Sequence, residues 1–312
     1  MSQKKIRVAL LAGGKSGERE VSLAGAREVA KALDPRKYEV RRYDPATDLP
    51  QLAAEAETID VAFILLHGPF GEDGTVQGFL DLLGIPYQGS GVLGSAMAMD
   101  KNIAKILYRN AGLPVAPWAM AQPADMRDPS RLLASVQLPA VVKPVRQGSS
   151  LGMSIVESAA ELPAALEKAF AFDPEVMVEE FLAGREITGG VVGNRDLVAL
   201  PLVEIIPGEQ FRFFDYQAKY QPGASREVCP AELDPELTAK AQQYALAAHR
   251  ALNLRGYSRT DMIVVGRDIF VLETNTIPGM TPTSLLPQAA RAHGLDFGAL
   301  LDRLLKLAME KG

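Results

Sequence analysis

At 312 residues the chain exceeds one ordinary core and fits two or three domains. Hydrophobic residues at 47% and charged residues at 23% describe a folded globular chain with no compositional drive to disorder. Thirty-three Lys and Arg against 38 Asp and Glu give a net charge of −5, which excludes a global basic field for nucleic acid or an anionic membrane. The opening apolar run, Ile6 to Ala12, carries Arg7 and stops at Gly13-Gly14, so a signal peptide is not expected. The longest uncharged window, Leu82 to Met99, is broken by Gly84, Pro86 and Gly89 and does not read as a membrane span. Cys229 stands alone, which excludes an intrachain disulfide and a cysteine metal cluster and fits a reducing compartment.

In chain order, strand-like runs at Ile6 to Leu11, Tyr38 to Arg42 and Val61 to Leu66 alternate with helical stretches at Ser22 to Leu33 and Thr75 to Leu83. That alternation predicts a parallel α/β sheet. A helix from Lys101 to Asn110 meets Ala111-Gly112-Leu113-Pro114, where Gly and Pro end it, and a second domain is expected to start near residue 100. Short strands at Ala140 to Lys143, Met153 to Val156 and Val176 to Glu180, with a helix from Ala159 to Phe172, predict a small α+β module. Strand-like runs at Ile187 to Val192, Leu197 to Ile206, Ser258 to Val265 and Asp268 to Glu273 predict a larger antiparallel sheet. Helices are expected beside it at Asp234 to Leu252 and Asp296 to Glu310. No fixed-period repeat is present.

Two glycine patterns do not carry the chemistry they suggest. Gly14-Lys15-Ser16 resembles the end of a P-loop, but Ala9 stands where its first Gly belongs. Gly89 to Gly94 spells GxGxxG, yet it follows the third strand unit, and no carboxylate lies some twenty residues on to take a ribose hydroxyl; a tight strand-to-helix turn fits better. The segment Lys143 to Met153 is more informative. It joins a strand lysine to a Gly- and Ser-rich loop whose backbone amides can close over phosphate oxygens. Glu179-Glu180 ends the next strand with acids able to accept from an adenine amino group or ribose hydroxyls. Arg259 and Asp261 begin one late strand, and Glu273 and Asn275 end its neighbour after the turn at Val265 to Asp268. Adjacent antiparallel strands bring these groups near one point, and two carboxylates with an amide oxygen suit a magnesium–nucleotide site. His67 follows the strand Val61 to Leu66, at the carboxyl end of a parallel sheet where ligand clefts form.

These motifs occur in one order over the whole chain. They run from Gly13-Gly14-Lys15-Ser16-Gly17-Glu18 through His67-Gly68-Pro69-Phe70-Gly71-Glu72-Asp73-Gly74, Met99-Asp100-Lys101, Lys143-Pro144 and Gly148-Ser149-Ser150. They continue with Asp215 to Tyr220 and Glu273-Thr274-Asn275-Thr276-Ile277-Pro278-Gly279. In this the chain resembles the D-alanine:D-alanine ligases of the ATP-grasp superfamily. The resemblance implies a three-domain ATP-grasp architecture: an N-terminal α/β substrate domain at 1–100, a central ATP-grasp subdomain at 101–186 and a C-terminal catalytic domain at 187–312. It implies ATP between the second and third, with Lys101, Lys143, Ser150 and Lys219 at the phosphates and Glu179 and Glu186 at adenosine. Two Mg²⁺ ions, replaceable by Mn²⁺, would be held by Asp261, Glu273 and Asn275, while assistance by a monovalent cation stays open.

It further implies that the first D-alanine is phosphorylated to an acylphosphate and that the amine of the second attacks it, giving D-alanyl-D-alanine for peptidoglycan precursors. Glu18 and His67 would hold the first ammonium, Ser284 and the Leu285 amide the second carboxylate, and Arg259 with the Gly279 amide the oxyanion. Ser149, Tyr220 and Glu18 would form a hydrogen-bond chain closing the 211–222 loop, and Tyr220, where relatives making D-alanyl-D-lactate often carry Phe, favours the dipeptide. A cytoplasmic homodimer with no nucleic-acid or membrane partner is the expected setting. The alternatives are another ATP-grasp carboxylate ligase and a nucleotide-binding module that has lost turnover.

Overall fold

The computed structural model describes residues 4–208 and 225–310. The first sheet is parallel, in the order β2-β1-β3, from β1 (Ile6–Ala12), β2 (Tyr38–Tyr43) and β3 (Val61–Leu65). The near-continuous apolar runs of β1 and β3 suit a sheet covered on both faces, and the side chains alternate accordingly. Val8, Leu10, Phe63 and Leu65 enter one core with Val29 of helix α1 (Arg19–Ala32). Ala9, Leu11, Ala62 and Ile64 enter another with Leu52 of α2 (Leu49–Ala54) and Leu80 of α3 (Thr75–Leu82).

Two further helices, α4 (Val92–Met99) and α5 (Lys101–Asn110), lead onward; Asp100 caps α5 by accepting from the amides of Asn102 and Ile103. Ala104 and Tyr108 of α5 are buried in the core of the largest sheet, so this helix lies against that sheet. A four-stranded antiparallel sheet follows, ordered β4-β7-β5-β6, from β4 (Trp118–Ala121), β5 (Ala140–Pro144), β6 (Ser154–Val156) and β7 (Val176–Glu180). It is backed by α6 (Ser130–Leu133) and α7 (Leu162–Phe170), which share its core through Leu132, Leu162 and Leu166. The expected helix from residue 159 begins instead as a 3-10 turn over Ala159–Glu161, and the α-helix starts at Leu162 with Pro163 in its first turn, where no amide is required.

Among the described residues the largest sheet has six antiparallel strands, β8 (Arg185–Gly193), β9 (Val198–Ala199), β10 (Val203–Pro207), β11 (Ser225–Val228), β12 (Gly256–Val265) and β13 (Asp268–Asn275). The single strand expected over 197–206 is two, because Pro201 offers no amide to a ladder and lies in the break between β9 and β10. Helix α8 (Pro235–Ala251) covers one face. On the other, α9 (Leu285–Ala292) and α10 (Phe297–Met309) share a core with both this sheet and the parallel sheet, through Leu286, Leu301 and Leu305. These two helices therefore fix the N-terminal sheet against the largest one. Among the described residues no helix is long and apolar enough to cross a membrane.

Candidate active site

The β12–β13 hairpin builds the acidic end of the site. Its two-residue turn uses Gly266 in the left-handed region, at φ 60°, and pairs Val265 with Asp268. The register then pairs Arg259 with Asn275 and Asp261 with Glu273. Residues two apart share a face of a strand and cross-strand partners share it too, so all four side chains issue from one side of the sheet. An irregularity in the register follows Asp261, where Met262 pairs with Val271; such bulges re-aim side chains beside sites. The Arg259 guanidinium grips both Asp261 oxygens at 3.0 Å, and Thr188 on β8 donates to Asp261 at 2.5 Å. Burial works against the charge on Arg259, but Asp261 holds its pKa above the ordinary value.

On the opposite face Thr260 and Thr274 lie 3.0 Å apart, and the buried Tyr108 hydroxyl donates to Thr274 at 2.7 Å. This anchors the hairpin to α5 between Glu273 and Asn275.

Across the cleft stand the cations. Lys101, at the start of α5, donates to the Gln147 carbonyl at 2.8 Å and lies 3.4 Å from Glu273. Lys143 on β5 is 2.6 Å from Glu179 on β7. Burial opposes the charge on Glu179, yet Lys143 and a second lysine, Lys105 of α5 at 3.0 Å, hold its carboxyl below the usual range. Burial likewise opposes Lys143, which Glu179 and Glu273 keep above its ordinary value, whereas burial wins at Lys105 and lowers it. Lys101, Lys143, Ser149, Ser150, Glu179, Glu186, Asp261 and Glu273 all line this one cleft. Ser149 and Ser150 both hold positive φ, at 51° and 58°.

Beside it, the carboxyl edge of the parallel sheet contributes Glu18 and His67. Glu18 immediately precedes α1 and accepts a hydrogen bond from the Ser149 hydroxyl, which closes the serine loop onto the N-terminal sheet. Two glycines make room for it: a Cβ on Gly68, whose φ is +69°, or on Gly148 would stand 3.1 or 3.2 Å from a Glu18 oxygen. Burial pushes the His67 imidazole below its ordinary value, with Glu18 opposing. Burial also pushes the Glu72 carboxyl up to about 8, although it accepts from the Gly68 amide at 2.7 Å. His67 opens on a recess walled by Gly13, Gly14 and Phe70, while Asn275, Glu72 and Glu273 share a small cavity with Lys101.

Ser284 stands at the N-cap of α9 and Leu285 is its first residue; the Ser284 hydroxyl accepts from the Thr281 amide at 3.1 Å. A Cβ added at Gly279 would be 3.2 Å from that hydroxyl, so the two positions are neighbours. None of Gly279, Ser284 and Leu285 lines the cleft or the recess. Lys219 and Tyr220 lie outside the described residues.

Lys105, Tyr108, Thr188 and Glu72 act in this constellation but were not singled out by sequence reasoning. Lys105 had a signal, since four residues after Lys101 it shares that helix face. Thr188 had none, because its role depends on the β8–β12 register. The donor set suits magnesium. Among the described residues no cluster of three or more His, Cys, Asp and Glu side chains could hold a metal, whereas Asp261 and Glu273 are a cross-strand carboxylate pair with Asn275 one step along. Two carboxylates and an amide suit an ion whose shell is completed by substrate phosphate and water.

The chain is similar to known proteins throughout. Residues 44–90 match the family model for the D-ala D-ala ligase N-terminus, and residues 107–306 match that for the C-terminus. A D-alanine–D-alanine ligase of Syntrophobacter fumaroxidans is 60% identical over 310 residues, covering 99% of this chain and 100% of that one. That of Desulfotalea psychrophila is 58% identical over 310 residues, covering 98% and 96%. Among solved structures, the ATP complex of the Bacillus anthracis D-alanine–D-alanine ligase superposes with a TM-score of 0.84 at 35% identity, covering 97% of each chain. The VanG D-Ala:D-Ser ligase of Enterococcus faecalis does so with 0.85 at 32%, covering 98% and 100%. With three sheets in the ATP-grasp arrangement, a cleft of lysines facing carboxylates, and end-to-end likeness to these enzymes, the chain belongs to the D-alanine–D-alanine ligase family and is an ATP-dependent ligase.

Proposed function

We propose that the enzyme joins two D-alanine molecules to D-alanyl-D-alanine with release of ADP and phosphate, supplying peptidoglycan precursor synthesis in the cytoplasm as a homodimer. The observation that carries this reading is the face shared by Arg259, Asp261, Glu273 and Asn275 opposite Lys101 and Lys143. A cleft that sets cations and hard oxygen donors on opposite walls suits phosphoryl transfer, in which positioning and charge stabilisation do most of the work.

In this reading Lys101, Lys143, Ser150 and, from outside the described residues, Lys219 hold the triphosphate, with Glu179 and Glu186 toward adenosine. Asp261, Glu273 and Asn275 would hold two Mg²⁺ ions, for which Mn²⁺ can substitute, and which neutralise phosphate charge when bound. Glu18 and His67 orient the first D-alanine so that a carboxylate oxygen attacks the γ-phosphorus. The bond from that phosphorus to the bridging oxygen breaks, and ADP leaves. The amine of the second D-alanine, held through its carboxylate by Ser284 and the Leu285 amide, then attacks the acyl carbon. The carbon–oxygen bond to phosphate breaks as the peptide bond forms. Arg259 and the Gly279 amide stabilise the oxyanion between these events. The link from Glu18 to Ser149, which Tyr220 from outside the described residues would extend, ties the nucleotide loop to the amino-acid site.

Turnover of D-alanine carrying heavy oxygen in its carboxylate tests the sequence of bonds. One labelled oxygen should appear in the released phosphate; phosphate free of label would refute the acylphosphate route.

A further inference from the structure

We infer that Lys105 is a positioning residue for the nucleotide: a permanent counterion of Glu179 that frees Lys143 to engage an anionic phosphate. The inference rests on the reading of the cleft as the ATP site. Lys105 lies on the same face of α5 as Lys101, one turn on, but its side chain has no solvent exposure. Its amine is 3.0 Å from one oxygen of Glu179, while Lys143 is 2.6 Å from the other. Glu179 itself is 3% exposed and Lys143 14%, so of the two lysines only Lys143 reaches the cleft.

The surroundings fix Lys105 in place. Trp118 is the cross-strand partner of Glu179, and the Lys105 amine sits 5.4 Å from the centre of its indole, within cation–π range. The indole is held in turn, since its Nε1–H donates to Asn102 at 2.9 Å, and Asn102 is also on α5. Lys105 thus joins a helix of the catalytic block to two neighbouring strands of the small sheet that walls the cleft.

The charges give this arrangement a consequence. If Lys143 were the only partner of Glu179, moving it toward a triphosphate would leave a buried carboxylate without a counterion, an outcome strongly disfavoured in a dry site. With Lys105 on the other oxygen, the carboxylate stays neutralised while Lys143 turns outward. The pair of lysines on one acid also leaves a surplus positive charge beside the cleft, of the sign that attracts a polyphosphate.

Calorimetric titration of the full chain with Mg·ATP, without D-alanine, tests this independently of turnover. Lys105→Gln should weaken ATP binding by about tenfold, the equivalent of about 1.4 kcal/mol. Steady-state assays of the same variant should leave KM for D-alanine within about twofold. On a Glu179→Gln background, where no carboxylate remains to retain Lys143, the same substitution should change ATP affinity by less than about twofold. Lys105→Met, which keeps the volume without the polar head, should match Lys105→Gln and serves if the latter does not fold. Unchanged ATP affinity in either folded variant, an equal loss for ATP and D-alanine, or an undiminished loss on the Glu179→Gln background would each overturn the proposal. A parent enzyme that binds Mg·ATP but makes no dipeptide would count against the proposed function alone.

Discussion

The tie between Tyr108 and Thr274 sets up a comparison of two substitutions in one hydrogen bond. The Tyr108 hydroxyl, fully buried, donates to Thr274 at 2.7 Å, and Thr274 lies 3.0 Å from the Thr260 hydroxyl. In Tyr108→Phe the two threonines keep each other, no polar group is orphaned, and the cost should be about 1 kcal/mol, the net worth of an ordinary buried hydrogen bond. In Thr274→Val the phenol is left without a partner in a site closed to water, which adds a desolvation penalty of about 1–3 kcal/mol to the lost bond. Thr274 also stands between Glu273 and Asn275, so the second change should lower kcat by more than the first. Urea unfolding followed by circular dichroism gives the stabilities, and a coupled ADP assay gives turnover. Equal losses in the two variants, or a larger loss in Tyr108→Phe, would refute the assignment of Thr274 as the anchor of the β13 end.

Glu273→Ala should abolish ADP release while leaving the far-ultraviolet spectrum and melting temperature close to the parent, because it removes a cleft ligand and no core side chain. Turnover like that of the parent would remove Glu273 from the metal set. His249 on α8 is buried with no exposure, 2.7 Å from the Ser258 hydroxyl, and burial lowers its imidazole from 6.5 to about 4. Between those values the unfolded chain takes up a proton that the folded chain refuses, so stability should fall as pH drops through that window, by about 3 kcal/mol in all. Unfolding midpoints at pH values above and below the window should show a shallower loss for His249→Gln; the same slope in both proteins would exclude His249 as the source.

The elements that could be read from sequence are those whose pattern matches one environment. Helix α5 and strand β7 occupy the residues expected of them, because the first is closed by Asp100 and Gly112 and the second opens on the apolar run Val176-Met177-Val178 and ends in the acids Glu179 and Glu180. Helix α9 is masked in the sequence by Pro287, a helix breaker in most positions, which here falls in the first turn, where its missing amide costs nothing. Strand β4 is four half-buried residues without alternation and exists because β7 pairs with it. Arg259, Asp261, Glu273 and Asn275 were legible as a group because a short hairpin fixes their register locally. Glu18 and Ser149 meet across 131 residues of chain, and Lys105, Glu179 and Trp118 come from three separate elements. Such meetings depend on how the sheets stack, which no local periodicity encodes; resemblance supplied the role of Glu18, and the one local pointer to Lys105 is its place four residues after Lys101 on the same helix face.

The identity of the product depends on which amine the acylphosphate meets. Incubation of the purified chain with Mg·ATP and D-alanine, beside parallel reactions offering D-serine, D-lactate or L-alanine as the second substrate, followed by mass identification of products, tests it directly. D-alanine alone should give stoichiometric ADP and D-alanyl-D-alanine; ADP release that depends on one of the other acceptors, or no condensation product at all, would rule out D-alanine as the second substrate.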